Sequence, residues 1–477
     1  MHIFGREASS KMSEILASPY YKEWTGYFEK VLRATRNKKY RSNRKELLAM
    51  QLKLAEVETI FWKMLRKGRG CAKKLQQIKS KRELTVKEIA DLKNYENHIF
   101  INEQLIRISR TICDGIAWRN LRYSRTFLSS AARGFGAGDV DIESESFKGE
   151  FDWAYKISEA FDSVVLLNDL TRFLRVGDLT EINPEGTFIH EIKKNGKEIK
   201  NMFTLRKLKK NKKLSDQDKR LLELQRIALT DEALVRGTGV RTEKLNTELK
   251  TNFRKLRKLL KKSEKELVVS EQIEPCITLH ITNFDAISLA GDSVNLEVLK
   301  SRLSFPSAKG VVMPHSSWDM FYSDEKGNFL RSSVPYSVFP LSAKHCTKLI
   351  SGYYLVDCIL DVEKLKEILQ SHNWVVEMVT EEELDKQLNA YESVKNTIFS
   401  VKKPLYSSTP DEIGLLRIKR GAFSFNLTPS FYNRMTTEFM SLETLLSILE
   451  EMYSRAAKKQ RSNFYFPVLS GESEAWN

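Results

Sequence analysis

The 477-residue sequence predicts a mixed α+β fold in three parts. Residues 1–135 repeat apolar side chains at helical spacing and contain recognisable helix caps, which indicates a helical domain. In residues 150–268, helical segments flank two short strands that are joined by a tight turn. From residue 269 to 477, strand-like and helical segments alternate, which indicates a second α+β domain.

Two helix starts are clear in the N-terminal domain. Asn43 is followed three residues later by Glu46, and Thr85 is followed by Glu88. This is the spacing of a capping box, in which the two residues satisfy free N–H groups of the first helical turn. Apolar residues then recur at helical spacing, so we expect helices of a bundle to begin at these caps.

The first of these helices is expected to end at Gly68 and Gly70. Both glycines follow a basic turn, and a glycine after a basic last turn is a common helix stop. The basic stretches 33–45 and 66–82 would then lie in the connections between helices or on exposed faces.

A glycine-rich segment separates the helical domain from the central domain. Gly134, Gly136 and Gly138 precede a run of acidic residues and serines, which predicts a linker over 136–149. Residues 150–174 have helical spacing and predict one or two helices. Further helices of the central domain are expected at 215–229 and 243–267.

The turn at the centre of the chain is Asn183-Pro184-Glu185-Gly186. Asparagine suits the first position of a type I turn, proline the second and glycine the fourth. If this turn closes a regular hairpin, Asp178 faces Glu191 on the same side of the sheet. Lys193 lies two residues beyond Glu191 and points to that side too. Apolar neighbours on both faces predict that the hairpin is buried.

These three side chains suit phosphodiester hydrolysis. Two facing carboxylates repel each other unless a cation lies between them, and Mg²⁺ is usually held by one or two carboxylates together with water and substrate phosphate. A cation in that place acidifies a bound water and offsets charge on the phosphate. Lys193 could position the attacking water and stabilise the transition state.

The aspartate, the turn and the sequence Glu191-Ile192-Lys193 together resemble the PD-(D/E)XK nuclease superfamily, which has the restriction-endonuclease-like fold. The resemblance covers residues 150–230, and Gly177 stands where the family has the proline of its name. It implies that Asp178, Glu191 and the backbone carbonyl of Ile192 bind Mg²⁺ or Mn²⁺. It also implies a catalytic role for Lys193.

The family places a glutamate on the helix before the hairpin and often a glutamine on the helix after it. Glu159 is the best match for the glutamate, with Glu150 as the second choice, and Gln225 fits the glutamine. The alternative for the hairpin is a surface salt bridge, in which Asp178 and Glu191 merely flank a lysine. Burying three charges without a function is costly, which favours the nuclease interpretation.

The positive charge is concentrated in two segments of a chain with a net charge of +16. Residues 1–100 hold 23 Lys and Arg against 11 Asp and Glu, and residues 201–265 hold 20 against 8. Nucleic acid is the common partner of such segments, whereas the alternative is that they only aid solubility. The residues expected to contact nucleic acid are Lys38, Lys39, Arg41, Arg206, Lys207, Lys209, Lys210, Lys212 and Lys213. The lysine-rich helix around 253–262 would contact phosphates as well.

The sequence therefore predicts a Mg²⁺-dependent endonuclease or exonuclease that hydrolyses DNA, with a role in defence against foreign DNA. One alternative is a catalytically inactive nucleic-acid-binding protein of the same fold. Another is a non-enzymatic helical scaffold that holds acidic protein partners. The sequence assigns no role to residues 269–477. This part of the chain is a candidate for homodimerisation or for binding a protein partner.

Cysteine usage and hydropathy predict a cytoplasmic protein without a membrane partner. The five cysteines are scattered and form no CxxC pair, which fits a reducing compartment. No apolar run approaches the length of a membrane helix, and the first residues lack the apolar segment of a signal peptide.

Overall fold

The computed structural model has a mixed α+β fold with small, mostly antiparallel sheets, as predicted. It describes residues 14–37, 43–124, 127, 128, 131, 139–193, 198–200, 215–230, 232–235, 238–241, 244–286, 312–316, 334–379, 415–427, 429–458 and 468–470. Within those ranges, no helix is both long enough and apolar enough to cross a membrane.

The N-terminal part contains the helices α1 (Pro19–Thr35), α2 (Arg44–Lys79) and α3 (Val86–Asn120). Helices α2 and α3 pack side by side as a long helical hairpin. Both predicted caps are confirmed. Asn43 Oδ1 accepts the Glu46 N–H, and Thr85 and Glu88 form a complete capping box.

The predicted stop of α2 at Gly68 and Gly70 is wrong, because the helix continues to Lys79. Gly68 is instead a packing position. A Cβ atom added there would lie 3.1 Å from Cγ1 of Ile99 on α3, so the missing side chain lets the two helices approach closely. Glycine does not end a helix that a neighbouring helix stabilises along its length.

Helix α4 (Glu145–Ala160) begins inside the segment predicted as a linker, where Ser144 caps it. Of the one or two helices predicted over 150–174, α4 is the first; it ends at its C-cap Phe161, and Asp162 has a positive φ of 50°. The strand β1 (Val164–Leu167) follows instead of more helix. Its apolar run is as compatible with a buried strand as with a helix, and pairing with the next strand decides the outcome.

The central sheet contains β1, β2 (Leu179–Asn183), β3 (Gly186–Lys193) and β4 (Glu198–Lys200) in that order, all antiparallel. Leu179 pairs with His190, and Asn183 pairs with Gly186. This is the register that the turn predicted, but it ends at Leu179, so the predicted pairing of Asp178 with Glu191 is not part of it. Asn183 Oδ1 accepts the N–H of Gly186 at 3.1 Å, which fixes the turn.

The sheet is followed by α5 (Asp216–Thr230), which packs on β3, and by the hairpin of β5 (Glu232–Val235) and β6 (Thr238–Arg241). Residues 243–267 do not form the single predicted helix. Their first part is β7 (Lys244–Glu248), which pairs in parallel with β15 (Val468–Ser470). Helix α6 (Phe253–Ser263) begins only after that strand, because a pairing partner distant in sequence overrides the local helical pattern.

The C-terminal part contains a four-stranded sheet in the order β10–β11–β9–β8 and a three-stranded sheet in the order β12–β13–β14. Its strands are β8 (Val268–Glu274), β9 (Ile277–Asn283), β10 (Val312–Ser316), β11 (Tyr354–Asp361), β12 (Val375–Val379), β13 (Leu415–Arg420) and β14 (Phe423–Asn426). Its helices are α7 (Ala343–Ile350), α8 (Val362–Ser371), α9 (Pro429–Thr436) and α10 (Leu442–Ala457). The predicted alternation of strands and helices after residue 269 is confirmed.

The three predicted parts pack against one another around one continuous hydrophobic core, which extends from Ile15 to Met452. Side chains of the N-terminal helices bind backbone carbonyls of the C-terminal part. The Tyr21 hydroxyl donates to the Ser351 carbonyl at 2.9 Å, and Arg36 donates to the carbonyl of Phe339 at 2.7 Å. The N-terminal helices are therefore joined directly to the C-terminal part, and α2 also packs on β1 of the central sheet.

Candidate active site

The structure brings Asp178, Glu191 and Lys193 together at one end of the central hairpin. The Asp178 N–H donates to the His190 carbonyl at 2.8 Å, and Asp178 Oδ2 accepts the Ile192 N–H at 2.5 Å. Lys193 Nζ donates to Glu191 Oε1. The aspartate is thus tied by its backbone and its side chain to the strand that carries the other two residues.

Glu191 is the most buried member of this cluster, with 5% of its surface exposed. Its Oε1 accepts hydrogen bonds from Lys193 and from Gln217 Nε2, the latter at 2.7 Å. Its Oε2 is buried and has no hydrogen-bond partner among the described residues. An unsatisfied buried carboxylate oxygen is costly, and a bound cation would remove that cost.

Two further carboxyl groups, those of Asp178 and Glu150, interact electrostatically with Glu191. Burial raises the pKa of Asp178 to about 7, and the charge of Glu191 adds to the rise, while the Ile192 N–H opposes it. Burial raises the pKa of Glu150 on α4 to about 8, with further contributions from Asp178 and Asp169. Buried carboxyl groups without a neighbouring positive charge remain protonated near neutral pH, and such groups are typical of cation-binding and catalytic sites.

The prediction that Glu159 belongs to the site is wrong, because its side chain does not face the hairpin. Glu159 is exposed and forms an ion pair with Lys45, with Nζ 3.0 Å from Oε1. Glu150 lies on the buried face of α4 and interacts electrostatically with Asp178 and Glu191. The two glutamates are nine residues apart, which is about half a turn out of phase in a helix, so both cannot face the sheet.

Gln225 lies beside the hairpin but does not reach the carboxylates in the described contacts. It is fully buried; its Oε1 accepts the Ile189 N–H at 2.8 Å, and its Nε2 donates to the Thr187 carbonyl at 2.6 Å. Gln225 therefore satisfies two backbone groups of β3 that precede the residues paired with β4. Gln217, two turns earlier on α5, contacts Glu191 instead, and the sequence reasoning missed it.

Ile192, the expected backbone ligand, sits in β3 opposite Ile199 of β4. By donor type and charge, the carboxylates at this end of the hairpin fit a hard divalent cation such as Mg²⁺ or Mn²⁺. In the part of the chain that the structure describes, however, no group of three Asp, Glu, His or Cys side chains is already arranged to hold a metal ion.

The residues expected to contact nucleic acid lie outside the described residues. These are Lys38, Lys39, Arg41, Arg206, Lys207, Lys209, Lys210, Lys212 and Lys213. Helix α6 is described, and its basic residues Arg254, Lys255, Arg257, Lys258, Lys261 and Lys262 are all exposed, as the sequence predicted.

Gly177, just before the carboxylate cluster, lies where the backbone requires glycine. Its φ is +72°, which proline cannot adopt, and an added Cβ would lie 2.7 Å from the His190 carbonyl oxygen. We expect Gly177→Ala to lower the free energy of unfolding by about 2–3 kcal/mol, measured by urea denaturation.

The matched control for this change is Gly421→Ala. Gly421 also has a positive φ, of +57°, but nothing lies within 4 Å of the added Cβ. This change should cost only about 1 kcal/mol. Equal losses for the two variants would show that the close approach to His190 does not matter.

A scan against protein-family models found no matching family, and searches of curated proteins and of solved structures found no similar chain.

Proposed function

We propose that this chain is a metal-dependent nuclease that hydrolyses phosphodiester bonds in DNA. The observation that carries the proposal is the buried carboxylate of Glu191, which has one unsatisfied oxygen, next to Asp178 and Lys193 at the more buried end of the hairpin. Such a combination of charges is costly for stability alone and is useful for phosphoryl chemistry.

Each residue has a chemical task in this proposal. Asp178 and Glu191 would hold Mg²⁺ or Mn²⁺, and Glu150 lies near enough to add negative charge. A divalent cation there lowers the pKa of water and offsets negative charge on the scissile phosphate. The Lys193 ammonium donates a hydrogen bond to the attacking water or to a phosphate oxygen, and Gln217 holds the Glu191 carboxylate in place.

The order of elements supports the same proposal. A helix with a buried glutamate, α4, precedes the sheet, and a helix with two glutamines directed at β3, α5, follows it. The PD-(D/E)XK resemblance implies this succession of helix, hairpin and helix. A role in defence against foreign DNA is a prediction from the resemblance and the charge, and it enters none of the steps above.

The proposal is tested by incubating the protein with supercoiled plasmid, linear duplex and single-stranded DNA. We expect cleavage with Mg²⁺ or Mn²⁺ and none in EDTA. Intact substrates under all of these conditions would contradict a nuclease.

The second candidate is a nucleic-acid-binding protein that retains the site without cleavage. The ion pair between Lys193 and Glu191 favours it, because a purely structural salt bridge has the same contact. The two candidates differ in their response to metal. An inactive binding protein would bind DNA equally well in EDTA and Mg²⁺ and would leave it intact.

The raised pKa values predict how stability depends on pH. A carboxyl whose pKa is higher in the folded state than in the unfolded state binds its proton more tightly when folded, so stability falls as pH rises towards and through the folded pKa. With Asp178 near 7 and Glu150 near 8, the melting temperature in EDTA should fall by a few degrees between about pH 6.5 and about pH 8.5. Differential scanning fluorimetry measures this.

Two controls separate this effect from other titrations. Mg²⁺ should restore the melting temperature at the alkaline end, because the cation replaces the lost protons, and should do little at the acidic end. Asp178→Asn should make the fall in EDTA shallower, because only Glu150 then contributes to it. A wild-type melting temperature that is flat in EDTA, or equally steep in Asp178→Asn, would contradict the charge cluster.

A further inference from the structure

The C-terminal part of α2 and the turn after it form a strongly basic exposed surface, which we call the basic arm (residues 66–82). It contains eight Lys and Arg residues and no Asp or Glu. Every exposed position in it is polar or glycine: Arg66, Lys67, Arg69, Gly70, Lys73, Lys74, Gln76, Gln77, Lys79, Ser80, Lys81 and Arg82. Its one buried side chain is Ala72, which faces away from solvent.

The basic arm leads away from the central sheet. Near the start of α2, Gln51 Nε2 donates to the Val165 carbonyl of β1 at 2.9 Å, and Gln51 Oε1 accepts the Leu167 N–H at 2.9 Å. At 1.5 Å per residue, Lys67 lies about 24 Å and Lys79 about 42 Å further along the helix axis. One continuous helix therefore connects the central sheet to the basic arm.

Most of this charge is not neutralised within the protein. Arg66, Arg69 and Arg82 form ion pairs with acidic residues. The lysines form none with any residue that the structure describes: Lys67, Lys73, Lys74, Lys79 and Lys81. Like charges one helical turn apart destabilise a helix by a few tenths of a kcal/mol per pair, so the arm retains a small intrinsic cost.

Gly70 adds to that cost. It is exposed in the interior of α2, and nothing lies within 4 Å of an added Cβ, so packing does not require a glycine. Glycine in such a place destabilises a helix by about 1 kcal/mol relative to alanine. The residues three and four positions away on both sides, Arg66, Lys67, Lys73 and Lys74, are all basic.

Gly26 on α1 provides the contrast. It is also exposed, and nothing lies within 4 Å of its added Cβ. Its neighbours at the same spacings are Lys22, Glu23, Glu29 and Lys30, which balance in charge. The all-basic surroundings are therefore particular to Gly70. A missing side chain among four cations lets an anionic backbone approach the helix closely.

We propose that the basic arm binds the phosphate backbone of a nucleic-acid duplex, with Gly70 at the point of closest approach. The choice of nucleic acid rests on the proposed function. It is supported by the exposed positions, which lack the apolar or aromatic centre of a protein interface and have the positive charge of a nucleic-acid interface. The lysines from 67 to 81 span about 20 Å, which is about six base pairs.

The test is the salt dependence of duplex binding in EDTA, where no cleavage interferes. The variant is K67Q/K73Q/K74Q, and the control is K344Q/K364Q/K366Q, which removes the exposed Lys344 and Lys364 and the half-buried Lys366, all paired with glutamates. Loss of three phosphate contacts should reduce the slope of log affinity against log salt by about 2.7, and the control should change it by less than about 1. Equal slopes for the two variants would overturn the proposal and favour an acidic protein as the partner.

A second pair of variants tests Gly70 itself. Gly70→Gln and Gly26→Gln should both raise the melting temperature slightly, because glutamine favours helix more than glycine does. Only Gly70→Gln should weaken duplex binding, by about 3- to 10-fold. If the duplex affinity of Gly70→Gln equals that of Gly26→Gln, the proposal that the duplex approaches closest at Gly70 is wrong. All these experiments measure binding in the absence of metal. If the protein binds DNA through the basic arm but never cleaves it, the nuclease proposal is refuted and the basic-arm proposal stands.

Discussion

Replacing Glu191 by glutamine is expected to lower Mg²⁺-dependent DNA cleavage by about 10³-fold or more. The side chain keeps its size, and its amide oxygen can still accept from Lys193 and Gln217. It loses the negative charge that a divalent cation requires. The melting temperature in EDTA should not fall, because the variant removes a buried charge that has one unsatisfied oxygen.

Glu185→Gln is the matched control for this change. Glu185 lies exposed in the turn of the same hairpin, so its substitution makes the same chemical change away from the cluster. It should cleave DNA at the wild-type rate. Duplex affinity in EDTA should be close to wild type in both variants. Substantial cleavage by Glu191→Gln would exclude the carboxylate as a required group.

The largest expected loss of stability comes from breaking the buried ion pair between α2 and α3. Glu58 is fully buried, and its Oε1 lies 2.6 Å from Arg110 Nη2 and 2.8 Å from Arg110 Nε. Glu58→Leu leaves the guanidinium buried without this carboxylate, which should cost about 3–5 kcal/mol in the free energy of unfolding. Urea denaturation measures the loss.

The double variant Glu58→Leu/Arg110→Leu tests the reason for this loss. Removing both charges removes the desolvation cost of both, so the double variant should be more stable than Glu58→Leu by about 2 kcal/mol. Full recovery is not expected, because Arg110 also interacts with Asp169, which neighbours the carboxylate cluster. A double variant less stable than the single one would show that the pair is not the origin of the effect.

The hairpin could be predicted from sequence because its determinants are local. Asn183 and Gly186 fix the turn, and the turn fixes which residues face each other across the strands. The caps at Asn43 and Thr85 are local in the same way. The register, and with it the proximity of Asp178, Glu191 and Lys193, follows from residues less than 20 positions apart.

The errors arose where distant contacts decide the structure. Helix α2 passes through Gly68 because α3 packs against it, and β7 is a strand because β15 pairs with it. The resemblance favoured Glu159, but helical phase places Glu159 on the exposed face of α4. Phe147, Ala154 and Ile157 mark the buried face of α4, and that face contains Glu150.

Gln217 had no sequence signal that a single chain could supply. It lies in the first turn of α5, where a glutamine can equally well face solvent. Only the packing of α5 on β3 brings it to Glu191. Gln225 was noticed through the resemblance, yet its described contacts are with the backbone of β3. A motif can identify a residue that faces the site without identifying what its side chain does.

The most direct measurement is anomalous X-ray diffraction from crystals grown with Mn²⁺. The account predicts an anomalous peak between Asp178 and Glu191, at about 2.0–2.4 Å from a carboxylate oxygen of each, and no peak in Glu191→Gln crystals. If wild-type crystals show no peak there, and Lys193 remains bonded to Glu191, the pair is a structural salt bridge and the nuclease proposal is wrong.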